Sequence, residues 1–484
     1  MTPANLTPTE ALSQPLTLPC GLVLQNRLVK CPMQETLAEA PFFDPPLEKF
    51  RNLYGQWSNS NYGLIITGQV QIDIRYAHRK YAVLSIAGDV VCHRDSISSP
   101  HFEKWKEWAK VAQSGGTPCI VQLAHPGRMS PTGAGNRPAD MPAICPSSVP
   151  VKLSDKWLEK LAIQSLLGIP KAMTILEIDQ AVRDWKRGAH LAKSAGFKGI
   201  QLHGAHGFLL SQFLSPHTNR RTDEYGGSFE RRMKLLKRLV TEIREENPAP
   251  FCLGVKLNSG DYMEDGGLTQ DEALEQVRWL ITCGMVDFVE ISGGNAEQRS
   301  SGLHNSFGSQ SLRKAPKIRE STRIREAYYT EFAERIFKIE GSKCPIQLSG
   351  GFRSRTGMAD AILSGACDLI GLGRTAVLEP DIPKRLLLNT NLPDDEAFAR
   401  PHIVRGQWFS NLIPVKLVGS GLPIRFFYFN MKRLGNGLSS DPDKTIPGIV
   451  WGSIVDACRS RLGVAVQRVL ETFWWTTPKV QKID

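Results

Sequence analysis

The stretch Gly199-Ile-Gln-Leu-His-Gly-Ala-His-Gly-Phe208 indicates both a strand and a site. In it a short apolar run ends in two histidines three residues apart. Such a run, bounded by glycines, is typical of a buried β-strand. Side chains just beyond a strand end can point into one cavity. Neutral imidazole N–H groups there can stabilise an oxygen that gains negative charge during a reaction. The alternative is that His203 and His206 are structural histidines.

The same strand pattern recurs along the chain and alternates with amphipathic helices. Eight apolar strands alternating with helices indicate a parallel sheet that is covered on both faces. Closed on itself, this α/β sheet is a (β/α)₈ TIM barrel, whose chemistry lies at the carboxyl ends of its strands. The predicted strands are 26–33, 63–70, 118–125, 198–203, 251–258, 286–292, 345–350 and 368–373, and the predicted helices are 45–61, 101–114, 175–195, 229–246, 269–283, one within 320–339, and 356–364.

The remaining segments flank the barrel or interrupt it. Residues 1–15 are predicted to be a loose, flexible N-terminus, and 16–24 a hairpin that opens a barrel domain over 16–390. Long loops follow the third strand (127–169, with a short helix over 155–167) and the sixth strand (293–319). A helical and irregular extension over 391–484, with a terminal helix over 448–475, is expected to pack on the barrel. Contact of that helix with a membrane surface is the alternative, because aromatic residues lie beside basic ones.

Composition bounds the function. The 484 residues are 41% hydrophobic and 22% charged, as in a globular protein. The net charge of +11 is spread over scattered basic residues, so nucleic-acid binding is not expected. None of the ten cysteines forms a C-x-x-C pair, which argues against zinc, iron–sulfur and disulfide frameworks, and no metal site is expected. With neither a signal layout nor a long apolar run, the protein is expected to be cytoplasmic.

A longer motif surrounds the two histidines. From His203 the chain reads HGAHGFLLSQFLSPHTNRRTDEYGGSFERR, ending at Arg232, and residues 122–128 read QLAHPGR. Both closely resemble the signatures of the Old Yellow Enzyme family of FMN-dependent oxidoreductases. The resemblance covers residues 16–381, and the tail to about 443 is similar to that of fungal members. It implies that His203 and His206 bind the carbonyl or phenolate oxygen of a small-molecule substrate over the flavin.

The strand ends also suit FMN. Glycines after the seventh and eighth strands let backbone N–H groups approach a phosphate, which Arg374 can contact. Lys256, inside an apolar strand, can stabilise negative charge on reduced flavin unless it is a surface lysine. The resemblance implies that Gln122 pairs with the pyrimidine edge, that Gln34 tunes the flavin potential, and that Gly68 lets the ring lie close. The predicted cofactor-binding residues are Pro32, Met33, Gln34, Gly68, Gln122, Lys256, Gly350, Gly351, Gly373 and Arg374.

Phe208 departs from the family pattern, because most members have a tyrosine there that protonates the substrate carbon. The expected activity is reduction of the C=C bond of an α,β-unsaturated carbonyl compound, with NAD(P)H as a transient reductant that binds over the flavin. The phenylalanine leaves two alternatives open. One is flavin-dependent oxidation or isomerisation of a natural product, and the other is a catalytically idle FMN-binding barrel.

Overall fold

Eight parallel strands form a closed barrel in a computed structural model of the protein. The structure describes residues 6–77, 87–92, 99–153, 156–261, 266–292, 332, 335–336, 339, 344–400, 404–411 and 416–455. The strands pair in chain order, and β8 closes onto β1 through Ile370 and Leu28. They are β1 (Leu28–Lys30), β2 (Leu64–Gln71), β3 (Cys119–Ala124), β4 (Gly199–Gly204), β5 (Cys252–Asn258), β6 (Phe288–Ser292), β7 (Ile346–Ser349) and β8 (Leu369–Leu372).

Helices cover the outer face of the barrel. Every residue of β5 is buried, as a parallel strand between a packed interior and a helix layer requires. Tryptophans fill that layer: Trp57, Trp105, Trp108 and Trp185 are each at most 1% exposed. The covering helices are α1 (Leu47–Ser58), α2 (Pro100–Ala112), α3 (Ile175–Ala195), α4 (Lys234–Glu246), α5 (Gln270–Thr282) and α6 (Arg355–Leu363).

The predicted barrel is thereby confirmed, with small differences at the element ends. The predicted helix 229–246 is two helices, Phe229–Arg232 and α4, which meet at Met233. A short helix, Trp157–Leu167, occupies the loop after β3 as predicted. Residues 293–319, and most of the helix expected within 320–339, lie outside the described residues.

The predicted hairpin closes the bottom of the barrel. Leu16–Thr17 pairs antiparallel with Val23–Leu24. Leu18 and Leu24, at most 1% exposed, pack in one cluster with side chains of the barrel strands, among them Ile120 and Phe288. This end is filled largely by apolar side chains, as expected for a barrel whose chemistry lies at the opposite end, where the strands terminate.

The prediction of a loose N-terminus is wrong for part of the segment. Pro8–Ser13 is a helix, and the Thr7 hydroxyl and Glu10 carboxylate form a capping box at its start. Ala11 and Leu12 are buried in the main core. The helix is stable despite its length because it lies against the barrel and is capped by its own sequence.

The extension runs over the barrel as a long helix, α7 (Lys416–Gly435), followed by a helix over 446–455. Phe426 and Phe427 of α7 are buried in a cluster with Val377 and Leu378, which follow β8. Two of the four consecutive aromatic residues at 426–429 are therefore buried against protein. No helix within the described ranges is long and apolar enough to cross a membrane. The predicted terminal helix is seen to residue 455, and its later tryptophans lie outside those ranges.

The start of α3 gives a first test of the fold. The Thr174 hydroxyl accepts a hydrogen bond from the backbone N–H of Glu177, whose carboxylate accepts one from the backbone N–H of Thr174. Thr174→Ala should lower the free energy of unfolding by about 1 kcal/mol, because the cap is lost. Urea unfolding measures this. Thr241→Ala, within α4, is the control, and an equal loss in both variants would contradict the capping role.

Candidate functional site

The two histidines meet at the carboxyl end of β4, where the sequence predicts a site. Their ring centroids are 5.3 Å apart, with the rings nearly perpendicular. His203 is the penultimate residue of β4 and is only 4% exposed. His206 follows in a left-handed conformation (φ +60°) that turns the chain back across the barrel mouth.

Neighbouring strand ends hold His206 in place. Its backbone N–H donates to Asn258 Oδ1 (3.2 Å), at the end of β5. Its Nε2 lies 2.8 Å from Ser292 Oγ, at the end of β6. A strained backbone and two side-chain contacts fix the imidazole at the mouth, as suits a group that must hold a substrate atom.

Phe208 lies directly against His203. The two ring centroids are 4.4 Å apart at 37°, and Phe208 is 7% exposed. Phe208 also precedes the short helix Leu209–Leu214 and supplies no side-chain cap to it. The residue that replaces the usual tyrosine is thus an apolar wall beside the first histidine and carries no proton to give.

A chain of buried polar side chains joins four neighbouring strands, β3 to β6, and its Lys256 lies in register with His203. Lys256 Nζ donates to Glu290 Oε1 (2.7 Å), and Gln201 Nε2 donates to Glu290 Oε2 (2.8 Å). Gln122 Nε2 in turn donates to Gln201 Oε1 (2.8 Å). Lys256 and Gln122 are therefore linked through Glu290 and Gln201, two residues that the sequence reasoning missed.

Glu290 is the most important residue of this network that the sequence analysis did not predict. It is fully buried, and its strand position is in register with Lys256 on the neighbouring strand. A buried lysine costs much less free energy when it is paired with a carboxylate. The signal was present in the sequence, since Glu290 is a charged residue inside the predicted strand 286–292. Lys256 is not a surface lysine, because only 5% of it is exposed.

Cys31 lies at the edge of this network and stays protonated. Burial, and then the charge of Glu290, raise the pKa of its thiol to about 12. Its Sγ is 3.0 Å from Ser349 Oγ, and Gln347 Nε2 donates to the same hydroxyl (3.1 Å). The thiol is consequently a packing and hydrogen-bonding group of the barrel interior.

Gly350 and Gly351 form an open backbone edge after β7. Their φ angles are +131° and +82°, and no atom lies within 4 Å of the place where either side chain would begin. Gly373 and the half-buried Arg374 follow β8, the neighbouring strand. This edge fits a phosphate, because its backbone N–H groups can be approached closely and an arginine follows the neighbouring strand.

The residues after β1 meet a second polar cluster. Pro32, Met33 and Gln34 are half-buried. Gln34 Nε2 donates to Asp89 Oδ2 (2.9 Å), and the Tyr428 hydroxyl donates to Gln34 Oε1 (2.5 Å). Neither Asp89 nor Tyr428 was predicted, because both are far from Gln34 in sequence and meet it only in the folded chain.

The predicted reason for a glycine at position 68 needs correction. A side chain on Gly68 would collide with the Glu35 carboxylate, at 2.6 Å. The Gly68 backbone N–H donates to Glu35 Oε1 (2.8 Å), and the Tyr54 hydroxyl bonds to the same carboxylate. The space that Gly68 leaves is filled by Glu35 and is not open to a ring on that side.

Other polar residues of the motifs build loops. Gly127 N donates to His125 Nδ1 (3.0 Å), and burial lowers the pKa of His125 to about 4. Asn219 donates to the carbonyls of Phe213 and Tyr225. Asp261, shortly after β5, is 3% exposed and accepts a hydrogen bond from Leu268 N (3.0 Å).

One group in the described chain combines potential metal ligands, namely Cys20, Cys252 and Asp287 at the bottom of the barrel. Asp287 Oδ2 already accepts from Arg244 (2.5 Å) and from Leu253 N (2.6 Å). A cation there would lie beside a guanidinium. The expectation of no metal stays a prediction, and the chemistry of the mouth does not involve this group.

Comparisons with known proteins agree with this geometry. Residues 11–394 match the model of the NADH:flavin oxidoreductase / NADH oxidase family. The chain is 36% identical over 403 residues to the NADH-dependent flavin oxidoreductase iliE of Hypocrea jecorina, covering 82% of this chain and 94% of that one. It is also 36% identical to the NADH-dependent flavin oxidoreductase iccE of Talaromyces variabilis, covering 78% and 86%.

Among solved structures, morphinone reductase in complex with tetrahydroNAD superposes with a TM-score of 0.57 at 23% identity, covering 77% of this chain and 89% of that one. This likeness shows the shared barrel fold. The match of the family model spans the strands, the histidine motif and the glycine-rich ends described above. The chain therefore belongs to the NADH:flavin oxidoreductase / NADH oxidase family, the Old Yellow Enzyme family that its motifs resemble.

Proposed function

We propose that the protein binds FMN at the barrel mouth and uses NAD(P)H to reduce the C=C bond of an α,β-unsaturated carbonyl compound. The observation that carries the proposal is the His203–His206 pair, with ring centroids 5.3 Å apart at a strand end. Two imidazoles so placed can donate to a single oxygen. Fungal relatives named as NADH-dependent flavin oxidoreductases support NADH as the reductant.

The residues present fit FMN. Gly350, Gly351, Gly373 and Arg374 would hold the phosphate, because the two glycines leave their backbone open. The Gln122 amide would meet the pyrimidine edge, and Lys256 would lie near it. Pro32, Met33 and Gln34 would border the opposite edge. When bound, FMN supplies the hydride chemistry that no side chain of the protein can supply.

The chain's own residues would act on the substrate. His203 and His206 hold the carbonyl oxygen and stabilise the negative charge that grows on it as the β carbon is reduced. Phe208 packs on His203 and excludes water from that side of the imidazole. The proton for the α carbon comes from solvent or from another group, because a phenyl ring has none to donate.

Phe208 is also the observation that favours a second candidate, flavin-dependent oxidation or isomerisation of a natural product. In those reactions a tyrosine proton donor is dispensable. The two candidates differ in the product. Incubation with FMN, NADH and 2-cyclohexenone should yield cyclohexanone, identified by mass spectrometry. Oxidation of NADH without any saturated product from a panel of enones would favour the second candidate.

The aromatic wall gives a further test. Phe208→Tyr should raise kcat for enone reduction by about tenfold, because it restores a group that can protonate the substrate carbon. Phe208→Leu, which keeps an apolar wall, is the matched control and should show no gain. Stopped-flow measurement of flavin reoxidation by the enone isolates this step. No gain with tyrosine would mean that proton transfer does not limit the reaction.

A further inference from the structure

The extension beyond the family-matched region reaches the barrel mouth. The family model ends at residue 394, whereas α7 spans Lys416–Gly435. Two side chains of the loop after β1 lie at this helix or at the apolar cluster that it shares with the segment after β8. Met33 packs against the apolar cluster of Phe426, Phe427 and Val377. Gln34 Oε1 accepts a hydrogen bond from the Tyr428 hydroxyl. The loop is thus held by a hydrogen bond from the extension and by packing against the shared apolar cluster.

Asp89 fixes the other end of the Gln34 amide. Its Oδ2 accepts from Gln34 Nε2 (2.9 Å), Gln69 Nε2 (2.9 Å) and Gln71 Nε2 (3.0 Å). A carboxylate oxygen that collects three donors acts only as an acceptor. The nitrogen of the Gln34 amide must therefore face Asp89, and its oxygen must face a donor. Tyr428 is that donor.

The position of this chain of bonds relates it to the proposed cofactor. Gln69 lies in register with Gln122, whose amide belongs to the buried network of Gln201, Lys256 and Glu290. Gln34 directly follows Met33. The Met33 Sδ lies 3.4 Å from the place where a side chain on Gly373 would begin. Gln34 thus follows β1, which lies between β8 with its glycine end and β2, the strand that carries Gln69.

We infer that Tyr428 is a positioning residue of the flavin site, which orients the Gln34 amide through its hydroxyl and so sets the relative affinity for oxidised and reduced FMN. This inference rests on the proposed function and extends it, because it makes the C-terminal helix a working part of the site. Removing the hydroxyl leaves Gln34 Oε1 without this donor, and the amide rotates away from its fixed orientation. The amide has two N–H donors, of which one serves Asp89, and in this inference the other is directed towards the cofactor edge. Once the amide rotates, that second N–H stabilises the electron-rich reduced flavin less.

The test is Tyr428→Phe, which keeps the ring and removes only the hydroxyl. The full-length variant should bind reduced FMN more weakly relative to oxidised FMN by about threefold to tenfold, the size expected from one hydrogen bond. A tenfold change is about 30 mV in a two-electron midpoint potential. Anaerobic spectroelectrochemical titration of the bound flavin measures the potential, and fluorescence titration measures the affinity for oxidised FMN.

Two controls separate positioning from packing. Phe427→Leu loosens the same helix and should leave the potential unchanged. In a Gln34→Ala background, Tyr428→Phe should have no further effect, because the amide it orients is gone. An unchanged potential in Tyr428→Phe, or the same shift in the Gln34→Ala background, would overturn the inference. Failure of the wild-type protein to bind FMN would instead overturn the proposed function and this inference with it.

Discussion

His203→Ala is expected to lower kcat/KM for enone reduction by about 10²- to 10³-fold, because it removes one of two donors to the oxygen that becomes charged. His203 is 4% exposed and lies 5.3 Å from His206, centroid to centroid. In this partly dehydrated mouth a lost donor is not replaced at equal strength by water. Binding of FMN should be nearly unchanged, since neither histidine belongs to the proposed phosphate or pyrimidine contacts.

Steady-state kinetics with NADH and 2-cyclohexenone measure this effect. His190→Ala, on the exposed side of α3, is the matched control and should retain wild-type kinetics. His203→Asn keeps an N–H donor and should lie between the wild type and alanine. Equal kcat/KM values for His203→Ala and the wild type would show that the imidazole pair does not bind the reacting oxygen.

Lys256→Met is expected to destabilise the protein by about 3–5 kcal/mol, because it leaves the charge of Glu290 buried without its partner. The two side chains are 2.7 Å apart, Lys256 is 5% exposed, and Glu290 is fully buried. The destabilisation arises mostly from the Glu290 carboxylate, which stays buried without the ammonium group of Lys256. It should therefore be larger than the loss of lysine packing alone.

Urea unfolding of the FMN-free protein, followed by tryptophan fluorescence, measures the loss. The matched control is the double variant Lys256→Met, Glu290→Gln, which removes both charges and should regain most of the stability. Glu290→Gln alone keeps the hydrogen bond from Gln201 and leaves Lys256 charged and unpaired. A loss below about 1 kcal/mol in Lys256→Met would contradict the account of a tightly coupled buried pair.

The barrel could be predicted because its signals are local. Apolar runs such as the one before His203, and helices such as Ile175–Ala195, repeat a pattern that periodicity alone reveals. The helix Pro8–Ser13 was missed although its sequence signal, a threonine followed three residues later by a glutamate, was available. Its shortness and its proline content favoured an irregular segment.

The partners within the site could not be predicted in the same way. Glu290 is visible as a charge in a strand, but its pairing with Lys256 depends on strand register. Tyr428 lies 394 positions from Gln34 in the chain and meets it only because α7 packs against the loop after β1. Gly68 was correctly located in a strand, but its missing side chain makes room for Glu35, a contact that spacing does not reveal.

Flavin-dependent reduction of an enone can be tested directly by the visible spectrum of the purified protein. The spectrum is recorded without oxygen, before and after addition of NADH. We expect a flavin absorption band that bleaches with NADH and returns when 2-cyclohexenone is added. A band that bleaches but does not return with any enone would contradict the proposed reduction. The absence of a flavin band, even after reconstitution with FMN, would contradict the assignment of Gln122, Lys256, Gly351 and Arg374 to a flavin site.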